Sequence, residues 1–386
     1  MKKYEKLKPS ASTDFPLPSE RSEEAFIISG GGTGGHIFPA IAIANALKKR
    51  LPNVEILFIG AEGRMEMEKV PAAGYNIVGL PIRGLDRKKI WRNFKTLCLL
   101  AKSMRRAKKV IRTFAPNAVI GVGGYASAPT LRTAAKLNIP ILVQEQNSYA
   151  GVTNKWLAHK AACFCVAYEG MERFFPKEKI VLTGNPIREL KIDNKEVETA
   201  YHYFNFSPQK KTILVMGGSL GARTLNQSVA AYLKELMNTD VQIVWQTGKY
   251  YFEEMKQKAS AYPNNRLIIT DFIACMDYAY AVADLVISRA GAGSISELCL
   301  LGKASILVPS PNVAEDHQTH NAMALVNKDA AIMIRDAEAV EKLIPQALEL
   351  INNEPRLHTL SANSAGMGLK NSAEHIVDEI LKIAKA

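Results

Sequence analysis

The chain has 386 residues, a hydrophobic content of 47% and a formal net charge of +12. A chain of this length can build two sizeable domains, and it contains no apolar run long enough to span a bilayer. Its five cysteines lie in or beside apolar segments without the spacing of a zinc site, which predicts buried free thiols rather than disulfides.

The N-terminal residues 1–24 are polar, mixed in charge and without a hydrophobic signal core, so we predict a disordered extension there. From residue 25 onward, short apolar runs alternate with helix-like segments, which predicts parallel sheets covered by helices on both faces. The strand-like runs are 25–29, 54–59, 75–79, 117–121, 140–144, 162–167 and 180–183, and then 211–216, 241–246, 266–269, 284–287, 304–308 and 331–334.

Both series of runs open in the same way, with an apolar run, a glycine turn and a helix-like segment. We therefore predict an α/β fold of two Rossmann-like domains whose parallel sheets face each other across a cleft. The predicted domains are residues 25–184 and 210–362, with a linker region at 185–209 between them. Residues 363–386 are predicted to end in a helix that packs back on the body.

The first glycine turn is GGGTGGH at residues 30–36, directly after the first apolar run. Its glycines let a ligand approach the backbone closely, and the unpaired N–H groups and positive dipole end of the next helix would face the same place. The turn therefore predicts a site for a diphosphate or another anion. Because Gly30, Gly32 and Gly35 also fit the dinucleotide-binding spacing, with Glu62 near the end of the second strand, this motif alone leaves a dehydrogenase open.

Two further glycine-rich turns follow strands of the second series, at residues 217–223 and 288–297. Ser219 in the first of them can cap the following helix or donate its hydroxyl to a phosphate. Glu297, about one turn into the helix after the second, is placed to accept both hydroxyls of a ribose. A carboxylate that complements the helix dipole is the alternative interpretation of Glu297.

Polar residues near the domain junction and after the last long strand add to this picture. Arg188 is placed either to balance a diphosphate or to form a surface ion pair, and Gln318 and Asn321 suit sugar hydroxyls. The sequence contains no Asp-x-Asp pair of the kind that clamps a metal in many sugar-nucleotide enzymes. We therefore predict no metal site and no cofactor.

Nearly all of the net charge of +12 lies in residues 83–112, which hold twelve Lys or Arg and one Asp, a balance of +11. Apolar residues recur there at helical spacing, and aromatic residues beside basic ones are typical of an anionic membrane surface. A plain solvated helix and nucleic-acid binding are the alternatives, and no recognition motif favours nucleic acid. The residues predicted to contact the membrane are Lys88, Lys89, Ile90, Trp91, Arg92, Phe94 and Lys95.

Taken together, seven segments between residues 25 and 330 resemble, in order, the motif set of the MurG family. The segments are GGTGGHIFP, GGYASAP, QEQNSYAGVTNKW, TGNPIR, GGSLGA, SRAGAGSISE and EDHQTHNA. The resemblance implies a GT-B fold and an inverting, metal-independent transfer of N-acetylglucosamine from UDP-N-acetylglucosamine to the muramyl 4-hydroxyl of lipid I, giving lipid II for peptidoglycan. It also implies a peripheral location on the cytoplasmic face of the cell inner membrane, with other cell-wall synthesis proteins as candidate partners.

The resemblance also assigns residues to the donor site. They are Thr33, Gly34, Gly35, Asn147, Arg188, Ser219 and Gln318, the backbone of Ile273 toward uracil, and Ala292, Gly293, Ser294, Ile295, Ser296 and Glu297 toward ribose and diphosphate. Two residues depart from the family pattern: Gln144 stands where relatives often carry His, and Leu220 where Gln is common. An essential imidazole and a side-chain contact with phosphate are therefore not expected at these two positions.

The implied reaction needs a base for the hydroxyl proton and a positive environment for the departing diphosphate. His36 is the candidate base, because an unperturbed imidazole pKa of about 6.5 suits the task; the alternative is that it only orients the loop or the acceptor. Glu145 is the reserve base, and Arg188 and Ser219 would stabilise the leaving group. Competing functions are another GT-B transferase for a lipid or natural product, a UDP-sugar epimerase, and a non-catalytic membrane-associated nucleotide-sugar binder.

Overall fold

The computed structural model describes residues 24–84, 93–188, 190, 192–218, 220–262 and 265–385. The predictions made for Lys88, Lys89, Ile90, Trp91, Arg92 and Ser219, and for the extension up to residue 23, lie outside the described residues. Phe94 and Lys95 belong to a helix, but their side chains also lie outside the description.

The first half of the chain forms a seven-stranded parallel sheet. Its strands are β1 (Ala25–Ser29), β2 (Glu55–Ala61), β3 (Asn76–Leu80), β4 (Ala118–Gly121), β5 (Ile141–Glu145), β6 (Cys163–Val166) and β7 (Ile180–Leu182). They lie in the order β3-β2-β1-β4-β5-β6-β7. Along β1, Ile27 packs into one hydrophobic core while Phe26 and Ile28 pack into another on the opposite face. Burial on both faces explains why this strand reads as a continuous apolar run.

The second half forms a six-stranded parallel sheet. Its strands are β8 (Thr212–Met216), β9 (Gln242–Gln246), β10 (Leu267–Thr270), β11 (Leu285–Ser288), β12 (Ala304–Leu307) and β13 (Ile332–Met333). Their order is β10-β9-β8-β11-β12-β13. Counted from the first strand of each sheet, both orders begin 3-2-1-4-5, the order common to dinucleotide-binding folds. The predicted fold class of two Rossmann-like α/β units with parallel sheets is therefore confirmed.

Helices cover both sheets. Those of the first half are α1 (Gly34–Arg50), α2 (Glu66–Ala72), α3 (Asn93–Phe114), α4 (Ser127–Lys136) and α5 (Val152–Trp156). Those of the second half are α6 (Asn194–Phe204), α7 (Arg223–Ala231), α8 (Leu233–Met237), α9 (Phe252–Ala259), α10 (Met276–Val282), α11 (Ala292–Leu300), α12 (His317–Val326), α13 (Ala339–Ile351), α14 (Glu354–Gly366) and α15 (Ser372–Lys385). Within the described part of the chain, no helix is both long and apolar enough to cross a membrane.

The segment predicted as a linker, residues 185–209, contains the regular helix α6. Asp193 caps its first turn by accepting from the backbone N–H of Glu196, and the Glu196 side chain returns a bond to the backbone of Asp193. Ala200 and Phe204 are buried on the face that packs against α10. This helix therefore attaches the connecting segment to the second domain.

The C-terminal helix α15 returns to the first domain. Its apolar face, formed by Ile376, Val377, Ile380 and Ile383, shares a hydrophobic core with α1 and the first sheet. The chain thus crosses between the domains twice, once before α6 and once after α14. These two crossings and the contacts across the cleft fix how the carboxyl ends of the two sheets face each other.

Candidate active site

A cavity of about 860 Å³ lies at the carboxyl ends of the second sheet, within the size range of small-molecule sites. It is lined by the turn after β8, by residues that follow β9, β11 and β12, and by α10 and α11. Phe38, which is 61% exposed on α1, lines it from the first domain. The cavity therefore opens into the cleft between the domains, at the position where ligands bind in open parallel sheets.

Glu297 presents its carboxylate to this cavity. The Tyr280 hydroxyl donates to Glu297 Oε2 at 2.7 Å, and Arg188 Nε donates to Oε1 at 3.3 Å. Burial, followed by the neighbouring Glu297 charge, raises the pKa of Tyr280 well above its usual value, so the hydroxyl keeps its hydrogen and remains a donor. Arg188 also pairs with Asp277 at 2.6 Å, so its guanidinium group bridges two carboxylates, those of Asp277 and Glu297.

Ser294 and Gln318 line the same cavity. Gln318 Oε1 accepts from the backbone N–H of Ser310 at 2.8 Å, which fixes the loop after β12. Ala292 and Gly293 form the first turn of α11, where backbone N–H groups lack acceptors within the helix. Of the residues predicted in the second domain, Ser294, Glu297 and Gln318 therefore lie together at one rim of the cavity.

Other predicted donor residues sit behind that rim. The Ile295 side chain is buried in the core of the second domain, and Ser296 Oγ accepts from Asn185 Nδ2 at 3.0 Å. Ile273 is 5% exposed, whereas the neighbouring Phe272 lines the cavity. Leu220, where the family pattern favours Gln, is 63% exposed.

The glycine turn of the first domain is held by a buried carboxylate that the sequence interpretation missed. Glu66 on α2 accepts the backbone N–H of Gly32 at 2.8 Å with Oε2 and that of Ala61 at 2.9 Å with Oε1. A Cβ atom at Gly31, where φ is +145°, would lie 2.2 Å from Glu66 Oε1. The glycine at position 31 therefore leaves room for a carboxylate as well as for an unusual backbone conformation.

His36 lies in the first turn of α1, beside this glycine turn. Its Nδ1 atom lies 3.2 Å from the Gly31 carbonyl oxygen and 3.2 Å from Thr33 Oγ1. Burial lowers the pKa of His36 below the usual 6.5, and the charge of Glu145 opposes part of that effect. The neutral form of the imidazole is thereby favoured at neutral pH.

Glu145, the predicted reserve base, is 2% exposed, and both of its carboxylate oxygens accept hydrogen bonds. Its two oxygens accept from the backbone N–H and Nδ2 of Asn147, the backbone N–H of Gly151 and Nδ2 of Asn154, at 2.8 to 3.2 Å. Four donors occupy the acceptor positions of one carboxylate. This geometry favours a role in fixing the loop after β5, including Asn147, over a role in taking a proton.

Asn321 connects the two domains. Its Oδ1 accepts from the backbone N–H of Ser148 at 2.9 Å, and its Nδ2 donates to Asn147 Oδ1 at 3.1 Å and to the Ala290 carbonyl at 3.4 Å. The contact with sugar hydroxyls suggested by its residue type does not fit, because the side chain is fully buried and is occupied by protein partners. Tyr149 stacks on His320 next to this network, with ring centroids 4.7 Å apart.

Gln144 is also fully buried, and it reaches the second domain through Asn185. Its Nε2 donates to Asn185 Oδ1 at 3.0 Å, and Asn185 in turn bonds to Ser296 of the second domain. Among the described residues, no group of three or more His, Cys, Asp or Glu side chains is arranged to hold a metal ion.

Two Rossmann-like domains with parallel sheets, whose strand ends meet at a cleft with glycine turns on both sides, define the GT-B fold class. Comparison with known proteins narrows this class. Residues 26–166 match the family model of the glycosyltransferase family 28 N-terminal domain, and residues 212–376 match that of its C-terminal domain. The chain belongs to glycosyltransferase family 28 and, within it, to the MurG family.

Close relatives span nearly the whole chain. The protein from Parabacteroides distasonis named "UDP-N-acetylglucosamine--N-acetylmuramyl-(pentapeptide) pyrophosphoryl-undecaprenol N-acetylglucosamine transferase" is 61% identical over 92% of this chain and 97% of its own length. The protein of the same name from Bacteroides thetaiotaomicron is 56% identical over 94% and 99%. The crystal structure of Acinetobacter baumannii MurG is similar with a TM-score of 0.76 and 28% identity, covering 93% of this chain and 99% of that one.

Proposed function

We propose that this protein transfers N-acetylglucosamine from UDP-N-acetylglucosamine to the 4-hydroxyl of the muramyl sugar of lipid I, giving lipid II for peptidoglycan synthesis. The observation that carries the proposal is the 54–61% identity, over more than nine-tenths of the chain, to relatives named for this transfer. The cleft agrees with it, because its cavity of about 860 Å³ is lined by a carboxylate, by helix N-termini and by polar side chains.

The donor occupies the second-domain cavity in this proposal. Glu297, oriented by Tyr280 and Arg188, accepts the ribose hydroxyls. The diphosphate lies against the glycine turn after β8 and the first turns of α7 and α11, where unpaired N–H groups favour an anion. Gln318, in the first turn of α12 and bonded through Oε1 to the Ser310 N–H, holds the sugar with its remaining amide group.

The chemical step is a direct displacement. The muramyl O4 atom attacks the anomeric carbon as the bond from that carbon to the UDP oxygen breaks, so an α linkage becomes a β linkage. His36 takes the hydroxyl proton on Nε2, since Nδ1 faces the Gly31 carbonyl. The helix N-termini and Arg188 stabilise the negative charge that develops on the departing UDP.

Helix α3 supports a peripheral position on the cytoplasmic face of the inner membrane. Ser103, Ala107 and Ile111 are buried on its inner face. The exposed outer face carries Lys102, Arg105, Lys108, Lys109 and Arg112. This basic face suits anionic lipid, where the lipid-linked acceptor would be presented. At the membrane, other cell-wall synthesis proteins are the proposed partners. Through peptidoglycan synthesis the protein would contribute to cell shape and cell division.

The test is UDP release from UDP-N-acetylglucosamine, measured with and without a lipid I analogue. We expect release that depends on the acceptor, and a disaccharide product whose new linkage is β by NMR. Donor binding without acceptor-dependent release would leave only a nucleotide-sugar binder. Conversion of the donor sugar without an acceptor would indicate an epimerase.

A further inference from the structure

The peptide group between Gly31 and Gly32 is bonded at both ends to ionisable side chains. Glu66 Oε2 accepts its N–H at 2.8 Å, and its carbonyl oxygen lies 3.2 Å from His36 Nδ1. A carbonyl oxygen can only accept, so the second contact requires a hydrogen on Nδ1 and leaves Nε2 as the basic nitrogen. The Thr33 hydroxyl, also 3.2 Å from Nδ1, can share that hydrogen as a second acceptor.

We propose that Glu66 is a positioning residue for His36, acting through this single peptide group to hold the Nδ1–H tautomer and to strengthen Nε2 as a base. The inference rests on the proposed function, in which His36 is the base. The amide is a resonance system. A carboxylate that accepts a hydrogen bond from the amide N–H therefore increases the negative charge on the carbonyl oxygen of the same amide. Hydrogen bonds in such a chain polarise and strengthen one another.

The surroundings of Glu66 are built for this contact. The residue is 1% exposed, and both carboxylate oxygens are engaged, one by Gly32 and the other by Ala61. A Cβ atom would lie 2.2 Å from Glu66 Oε1 if placed at Gly31 and 2.6 Å from Glu66 Cγ if placed at Gly60. Two glycines therefore make room for one buried side chain, which then has little freedom to leave the peptide group.

Three ionisable groups face His36 from different elements. Glu66 on α2 and Glu145 at the end of β5 favour the imidazolium, while His317 on α12 opposes it. Burial outweighs them and lowers the pKa of His36. Removing the charge of Glu66 should therefore lower this pKa further and weaken Nε2 as a proton acceptor.

The test is the Glu66→Gln variant, read out by ¹⁵N NMR of histidine-labelled protein and by the pH profile of kcat/KM for UDP release. The His36 signals are assigned with His36→Gln. We expect a lower His36 pKa and a mixture of the two imidazole tautomers in place of the single Nδ1–H form. We also expect kcat to fall, by up to about tenfold. The KM for UDP-N-acetylglucosamine should change less than twofold. The matched control is Glu68→Gln, which removes the same charge from an 81% exposed position on α2.

An unchanged His36 tautomer and pKa in folded Glu66→Gln would overturn the proposal, whatever happens to the melting temperature. If Glu66→Gln fails to fold, the Glu66→Asp variant is tested in its place. It keeps the negative charge, but its side chain is one methylene too short to reach both N–H groups. The proposal then requires the His36 ¹⁵N signals of Glu66→Asp to differ from those of the wild type. The base role of His36 has its own test, and it is refuted if His36→Ala retains more than a tenth of wild-type turnover. The His36 NMR signals in the Glu66 variants do not depend on turnover, so the two tests can fail independently.

Discussion

Replacing Asn321 with Ala tests whether the observed contact between the domains is needed for catalysis. The change removes two good hydrogen bonds, of 2.9 and 3.1 Å, and a weak one of 3.4 Å. Buried bonds of this kind contribute about 1 kcal/mol each, so the contact between the domains should lose about 2 kcal/mol. That loss corresponds to at most a roughly 30-fold smaller population of the arrangement that aligns the two halves of the site.

The assay is kcat/KM for acceptor-dependent UDP release, together with the radius of gyration from small-angle X-ray scattering. We expect kcat/KM to fall by up to about 30-fold and the radius of gyration to rise. Asn363→Ala is the matched control, because it removes one surface bond of 2.9 Å to the Asp329 carbonyl, within the second domain. Wild-type kinetics and scattering in Asn321→Ala would refute the reasoning, since the network would then not limit the assembly of the cleft.

Three further predictions concern the base, the donor carboxylate and the membrane. His36→Ala should lower kcat by about 10²-fold or more. Burial holds the His36 pKa below 6.5, so the kcat/KM of the wild type should stay constant down to pH 6.5. It should fall only at lower pH, where the imidazole becomes protonated. An acid limb centred above pH 6.5 would contradict this assignment. Tyr280→Phe removes the 2.7 Å bond to Glu297 and should raise the KM for UDP-N-acetylglucosamine about tenfold with little change in kcat; an unchanged KM would argue against Glu297 as the ribose ligand. Replacing Lys108 and Lys109 with Ser should weaken binding to anionic vesicles about 30-fold, at about 1 kcal/mol per lysine, and leave turnover of a soluble acceptor analogue intact; equal vesicle binding would favour a plain solvated helix.

The sheets could be predicted from the sequence because parallel strands buried on both faces leave continuous apolar runs. The run at 25–29 became β1 without change, and that at 266–269 moved by one residue to Leu267–Thr270. Helix α6 gave a weaker signal, since only Ala200 and Phe204 of its residues are buried. The apolar face of α15 is clear in the sequence, but nothing in its pattern says that it packs on α1.

The site could be predicted only in part, for a related reason. Glycine turns can be recognised from the local sequence, by their composition and by their position between a strand and a helix. Glu66 has no such signal, because its partner Gly32 lies 34 residues away and contributes a backbone group rather than a side chain. The same holds for Asn321, whose bond to Ser148 spans 173 residues. Both residues act on backbone groups that sequence patterns do not reveal.

The structure changes which amides of the first glycine turn can bind an anion. The N–H of Gly32, at the centre of the turn, is taken by the buried carboxylate of Glu66, so an incoming phosphate would have to displace that charge. The N–H groups of Gly34 and Gly35 open α1, where no acceptor exists within the helix. The anion predicted from the sequence for this turn would therefore bind at the start of α1, close to His36. A phosphate there would favour the imidazolium that forms when His36 takes a proton, and would offset the effect of burial at the moment of reaction.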